Sequence, residues 1–292
     1  SVVNVQDFTF AEADGGRYAV KGGMKFDDSR QLFGVLDVTN GSVKNLLTLL
    51  DRSNEHIDGK LNGSVEIGGT RDNPSVNVTG KINDVSIDEK IVGDATINAS
   101  FANRKFKVTT LKLPVGDGLI AIGGTMDLDG QADLQVALKD VDIVPFLPLI
   151  GKDIQATGWV TGVVNITGET KNPKVELSSA IESGSFNGVG IDEGFALATM
   201  QDQVIQIQRI QGAKSGYKLS AYGKIPLAAI FTSGYIPAND SKSMDVTIDF
   251  NEADMAVIPL VTTSVKEATG PLKGAVHITG TIDQPEAYGT VS

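Results

Sequence analysis

The chain is 292 residues long, has no cysteine, and carries 25 basic against 36 acidic side chains for a formal net charge of −11. A disulfide framework and a thiolate metal site are therefore excluded, and Coulomb repulsion from phosphate backbones argues against nucleic acid as a partner. The longest apolar runs, such as Ile143 to Ile150, fall well short of the ~20 residues that span a bilayer as a helix.

From the N-terminus, Ser1 leads straight into Val2-Val3-Asn4-Val5 without a basic n-region, so the sequence reads as a piece of a longer protein. Residues 1–58 are expected to form a partial β-repeat with a short helix near 43–52, where Leu46, Leu47, Leu49 and Leu50 make a partial helical stripe. At Gly59 a recurring glycine motif begins. Gly59-Lys-Leu-Asn-Gly63-Ser-Val65-Glu-Ile67 returns as Gly158-Trp-Val-Thr-Gly162-Val-Val164-Asn-Ile166 and as Gly270-Pro-Leu-Lys-Gly274-Ala-Val276-His-Ile278. Each copy runs on to Asn73-Pro74, Asn172-Pro173 or Gln284-Pro285, always with 15 residues from the first Gly to the Pro. The copies start 99 and then 112 residues apart. A recurrence this long marks a structural unit stacked on itself, which gives β-repeats over 59–157 and 158–269 and the start of another over 270–292.

Between the glycine motifs the dominant period is two: Val76-Asn-Val78, Ala95-Thr-Ile97-Asn-Ala99-Ser-Phe101, Leu134-Gln-Val136-Ala-Leu138, then Val175-Glu-Leu177, Ile205-Gln-Ile207 and Val246-Thr-Ile248. Such alternation describes strands with one apolar and one polar face, and it favours antiparallel pairing over a parallel sheet buried on both sides. Asn40-Gly41, Asp58-Gly59, Asn62-Gly63, Asp117-Gly118, Asp129-Gly130 and Asn187-Gly188 are read as hairpin turns, because these pairs tolerate positive φ. The Asn-Pro and Gln-Pro pairs are placed in turns that end the strand of each glycine motif. Short helices are expected before every copy of the motif, over 43–50, 143–154 and 255–261. An inserted loop over 226–243, rich in Ala, Gly, Pro and Ser, accounts for the longer second period. The fold class expected is all-β, an antiparallel repeat sheet with a few short helices at the repeat junctions.

Residues that perform chemistry are scarce. His56 and His277 are the only histidines, and neither sits in a pattern for metal ligation or nucleophile activation. Phosphate-loop, dinucleotide and nucleophile-elbow motifs are missing. Asp127-Leu-Asp129-Gly130-Gln-Ala-Asp133 starts like a calcium loop but lacks the bidentate Glu at its twelfth position, so a tight hairpin turn is the better reading. Trp159 fills a motif position held by Lys60 and Pro271 in the other copies and is a local feature of the second repeat. No enzymatic activity, cofactor or metal is expected.

The glycine motif, the Asn-Pro turn and a strand such as Val175-Glu-Leu177-Ser-Ser-Ala-Ile181 together resemble the long periplasmic domain of TamB and its AsmA-like relatives of diderm bacteria. The resemblance covers essentially the whole chain on a loose motif. The third copy departs from it with Gln284 for Asn, and the second with Glu169 where the first has Thr70. It implies a sheet curled like a taco around an apolar trough, in a periplasmic protein whose anchor in the inner membrane lies outside this sequence. It also implies a non-enzymatic bridge that carries phospholipid acyl chains between the membranes, and an outer-membrane barrel partner similar to TamA.

The residues point the same way on separate grounds. An apolar sheet face with no second layer to cover it must curl on itself or face a guest. A diacyl lipid with on the order of thirty methylenes would need roughly 25 kcal/mol to cross water unaided, a cost that a dry lining removes. Val65, Ile67, Val76, Val78, Ile97, Phe101, Val164, Ile166, Val175, Leu177, Val276 and Ile278 are the residues expected to line that groove. An ordinary closed β-core competes with this reading of the same residues. A chaperone-like scaffold for outer-membrane β-barrel proteins and a β-repeat stalk or adhesin compete with it as functions. Exposed strand edges at the two ends would favour end-to-end association.

Overall fold

The computed structural model describes residues 2–13, 15–27, 29–49, 56–150, 155–186, 188–214, 217–230, 243–250, 253–255, 270–281 and 284–292. The protein is all-β, and its contacts divide it into two compact units, Ser1–Val141 and Asp142–Ser292.

In the first unit, strands β1 (Val2–Ala11), β2 (Arg17–Lys25) and β3 (Leu32–Ser42) lead into helix α1 (Val43–Leu49). Strands β4 (Ile57–Gly69), β5 (Pro74–Ile87), β6 (Lys90–Ala102), β7 (Lys105–Val115), β8 (Gly118–Asp127) and β9 (Gln131–Asp142) follow. Each strand pairs antiparallel with the next, so the sheet is a meander. Ser42 starts α1 by accepting the Asn45 amide at its hydroxyl (3.2 Å), and Asp58 Oδ1 accepts the amides of Lys44 (3.2 Å) and Gly59 (2.7 Å). One carboxylate thus ties the helix to the glycine that opens the first motif.

The second unit opens with a 3-10 turn (Val144–Phe146) and α2 (Leu147–Ile150). Strands β10 (Ala156–Glu169), β11 (Lys174–Phe186), β12 (Val189–Gln201), β13 (Val204–Lys214) and β14 (Tyr217–Pro226) form its meander, with α3 (Leu227–Ile230) after β14. Strand β15 (Met244–Asp249) pairs with β14 and with β18 (Gly274–Gly280), which pairs with β19 (Pro285–Val291). A two-strand ribbon of β16 (Ala253–Asp254) and β17 (Pro271–Leu272) pairs separately and packs against that sheet.

The three glycine motifs occupy β4, β10 and β17–β18, and the Pro of each follow-on pair lies at or beside the start of β5, β11 or β19. The turn between is built alike each time. Gly69, Gly168 and Gly280 take φ of 79°, 89° and 84°, which side-chain-bearing residues rarely adopt. The amides of Asn73, Asn172 and Gln284 then donate back to the carbonyls of Thr70 (3.2 Å), Glu169 (2.9 Å) and Thr281 (3.3 Å). Thr70 and Thr281 add their hydroxyls as acceptors at 3.1 and 3.2 Å, a bond that Glu169 does not reproduce.

Several expectations change. Asn40-Gly41, Asp58-Gly59 and Asn62-Gly63 are not hairpin turns: they lie inside β3 and β4, where register shifts at 38–41 and 58–60 mark bulges. Asn62 instead accepts the Asn40 amide across the two strands at 2.9 Å. Hairpins without glycine escape a search for Asn-Gly and Asp-Gly, namely Asp88-Glu89, Asn103-Arg104 and Asp202-Gln203, each with both residues at positive φ. Residues 227–243 connect β14 to β15, whereas Leu128 to Gly130 connect β8 to β9. Of the loop expected over 226–243, Pro226 ends β14 and 227–230 are helical, while 231–242 lie outside the described residues. So does the helix expected at 255–261, apart from Met255.

Candidate functional site

In the first unit the strand register joins the apolar positions of successive strands into continuous rows. One row runs from Phe8 through Val20, Leu36, Val65, Val78, Ala99, Val108 and Gly124 to Leu134, each the direct partner of the next. A second passes through Gly34, Ile67, Val76, Phe101, Phe106 and Met126. A third carries Ile97 to Leu111, Ile122 and Val136. The intervening positions, such as Ser64, Glu66, Asn77, Thr79 and Lys107, fall on the opposite face. The alternation dictates this outcome, because partners in an antiparallel ladder share a face.

The second unit repeats the arrangement. Val164, Leu177, Ala198, Ile207, Gly223, Val246, Ile278 and Ala287 are successive partners, and Ile166, Val175, Met200, Ile205 and Ile225 form the neighbouring row. Val276 pairs with Ile248 in a parallel row. The twelve sequence-derived residues therefore divide six and six. Val65, Ile67, Val76, Val78, Ile97 and Phe101 share one face of the first unit, and Val164, Ile166, Val175, Leu177, Val276 and Ile278 share one face of the second.

None of the twelve is buried: eleven are partly buried and Ile67 is 41% exposed. In the first unit burial is graded along the strands. Val38 (4% exposed), Ile87 (3%), Val92 and Val115 are buried toward the helix-bearing ends of the strands and Ile67 and Phe106 (43%) lie exposed toward the other ends, where Ala132 (4%) is the exception.

The second unit holds an apolar concavity of about 320 Å³ on this face, bounded by Ile181, Ile191, Ile210, Leu219, Ala221 and Ile248. Leu219 and Ile248 also pack against buried Phe250, Ala253 and Leu272, so the β16–β17 ribbon backs that part of the face. Met244, Val246 and Ile207 make a further buried cluster. The sequence reading omitted Val20, Leu36, Val108, Ile122, Ala198, Ile207 and Ile248. Ile207 and Ile248 stand in the alternating runs already read as strands, while bulges interrupt the alternation near Leu36, Val108 and Ala198.

Polar chemistry does not converge on this face. His56 Nδ1 lies 2.6 Å from Asp88 Oδ1, and His277 Nε2 lies 3.6 Å from Asp245 Oδ1. The first pair belongs to one unit and the second to the other. Trp159 is 53% exposed and pairs with Glu182 on the polar face of β10. Among the described residues no group of three or more His, Asp or Glu could hold a metal ion, and no helix is long and apolar enough to cross a membrane. No protein family, curated protein or solved structure matches the chain.

Proposed function

We propose that the apolar face of each unit seats acyl chains, and that the protein is a non-enzymatic conduit for phospholipid in the periplasm, of the TamB and AsmA-like kind. One observation carries this reading: unbroken apolar rows cross every strand of the main sheet in each unit, yet in the first unit none of the residues in the row from Phe8 to Leu134 is buried, and in the second only Ile207 and Val246 of the row from Val164 to Ala287 are. Keeping such a surface wet is unfavourable at roughly 25 cal/mol per Å², so a guest that covers it gains that free energy. Val, Ile, Leu and Ala hold chains without distinguishing head groups, which suits passage more than tight selection.

We infer further that each sheet curls toward this face into a half-pipe. Gly124 and Gly223 support the curl. Both lie in the apolar rows, at φ of 124° and 148°, and a Cβ on either would sit 2.1 Å from the carbonyl oxygen of the next strand, Asp133 or Asp245. Strands drawn this close on one face crease the sheet toward it.

The test is a double substitution at facing row members, Val65→Asp with Val78→Asp, in protein carrying a photoreactive crosslinker on the apolar face. The expected result is loss of lipid crosslinking by more than about tenfold with the far-ultraviolet circular dichroism unchanged, because Asp at a half-exposed position is hydrated and not entombed. Global unfolding of this variant would instead indicate a sealed core and sink the proposal.

A further inference from the structure

In the first unit, the turn after β2 and the turn after β4 are bound together through their backbones. Gln31 bridges to Thr70, and the Arg71 amide donates to the Arg30 carbonyl at 3.0 Å. The β2–β3 turn is also closed on itself, with the Arg30 amide on the Asp27 carbonyl (3.1 Å) and the Lys25 amide on the Gln31 carbonyl (2.9 Å). The result is a cleft of about 810 Å³ with Lys25, Arg30 and Arg71 in its wall, together with the Ser29 and Thr70 hydroxyls.

Among the described residues two carboxylates share the cleft, Asp27 and Asp72. Asp27 is engaged by the Ser29 hydroxyl and amide, and the hydroxyl bond in particular holds its carboxyl below the ordinary value. Asp72 comes no nearer than 3.9 Å to Arg30, between side chains that are both more than half exposed, a contact of little energy in water. Among the described residues the Arg71 guanidinium makes no ion pair, while the Lys25 ammonium donates one bond to Gln31 Oε1 at 2.9 Å and keeps two further donors. Two guanidiniums and an ammonium on a braced frame can meet a tetrahedral oxyanion with paired, charge-assisted bonds, which water alone at a flexible surface does not offer.

The cleft also stands where the apolar rows end. Met24 lines it and pairs with Val3 and Leu32, which continue the apolar face of β1 to β3 toward these turns. The matching turn of the second repeat reads Glu169-Thr170-Lys171-Asn172 in place of Thr70-Arg71-Asp72-Asn73, so the arginine belongs to the first repeat alone.

We propose that this cleft binds a phosphate group through Arg30, Arg71 and Lys25. Where the phosphate belongs to a lipid, its tail runs from Met24 onto the apolar face, a step that rests on the acyl-chain reading above. The site would then fix the entry or exit point of an otherwise unselective trough.

The test uses the full chain and three probes. Dihexanoyl phosphatidylglycerol below its micelle concentration has both tail and phosphate, inorganic phosphate has no tail, and octyl maltoside has no phosphate. Binding of the first two is followed by phosphorus NMR and of the third by calorimetry, in wild type, in Arg30→Gln/Arg71→Gln, and in the control Arg209→Gln on β13. The double variant is expected to weaken phosphatidylglycerol by about tenfold or more, as losing charged hydrogen bonds does, with maltoside binding and the control unchanged. If inorganic phosphate alone binds and shows the same loss, the cleft stands as a phosphate site while the acyl-chain reading falls. If neither phosphate probe senses the double variant, the cleft proposal is overturned, whatever the maltoside does.

Discussion

Gly123 and Gly124 are neighbours in β8 with opposite demands on the backbone. A Cβ on Gly124 would meet the Asp133 carbonyl oxygen at 2.1 Å, at a φ of 124°, whereas a Cβ on Gly123 would find its nearest atom, the Val108 oxygen, at an ordinary 3.7 Å. Gly124→Ala should therefore destabilise the chain by about 1–3 kcal/mol, through backbone strain and the displacement of β9. Gly123→Ala should be neutral or stabilising by up to about 1 kcal/mol, because it removes conformational freedom from the unfolded chain at a compatible site. Urea denaturation of the two variants checks this, and equal midpoints would show that the close approach of β9 at Gly124 is not a constraint. From sequence alone the two glycines are indistinguishable, because the difference lies in how closely the partner strand approaches, and that is set by residues ten positions away.

Hairpins were more legible than that, though not always for the obvious reason. Pro74 and Pro285 start their strands and Pro173 lies just before one, so the Asn-Pro and Gln-Pro pairs do close the strand of each glycine motif, and the spacing of 15 residues reflects one strand plus one turn. The asparagine has a second role that no local pattern reveals. Asn73 Nδ2 donates to Asn103 Oδ1 at 2.7 Å and Asn172 Nδ2 to Asp202 Oδ1 at 2.6 Å, so each of these Asn-Pro turns is clasped to the next turn at the same end of the sheet. Those partner turns use Asn-Arg and Asp-Gln at positive φ, which is why a search for Asn-Gly and Asp-Gly passes over them. The apolar faces were readable wherever alternation ran unbroken, as from Val76 to Ile82 in β5 and from Val175 to Ile181 in β11, and lost where a bulge shifted the phase, as it does later in both strands. Asn73→Ala should cost no more than about 1 kcal/mol globally, since the bond is exposed, but should speed amide exchange at Lys105 by about two- to fivefold. Unchanged exchange there would mean that the clasp does not order the turn.

Across the whole chain, the accessible surface is 17657 Å². A globular monomer of 30.7 kDa exposes ~11,900 Å², and even two separate globules of half that mass would expose only ~14,300 Å². The partly exposed rows of the described strands contribute to this surplus. Surface that is wet when folded contributes nothing to the heat capacity change on unfolding. For 292 residues the ordinary increment is ~3.5–4.4 kcal/mol/K, and a surplus of mixed composition lowers it by about 0.5–1 kcal/mol/K. Scanning calorimetry, which does not require the two units to unfold together, should therefore return about 3 kcal/mol/K. An increment within the ordinary range would mean that the rows of Val65 and Val164 are sealed by another layer in solution, and an acyl chain would then have no surface left to cover.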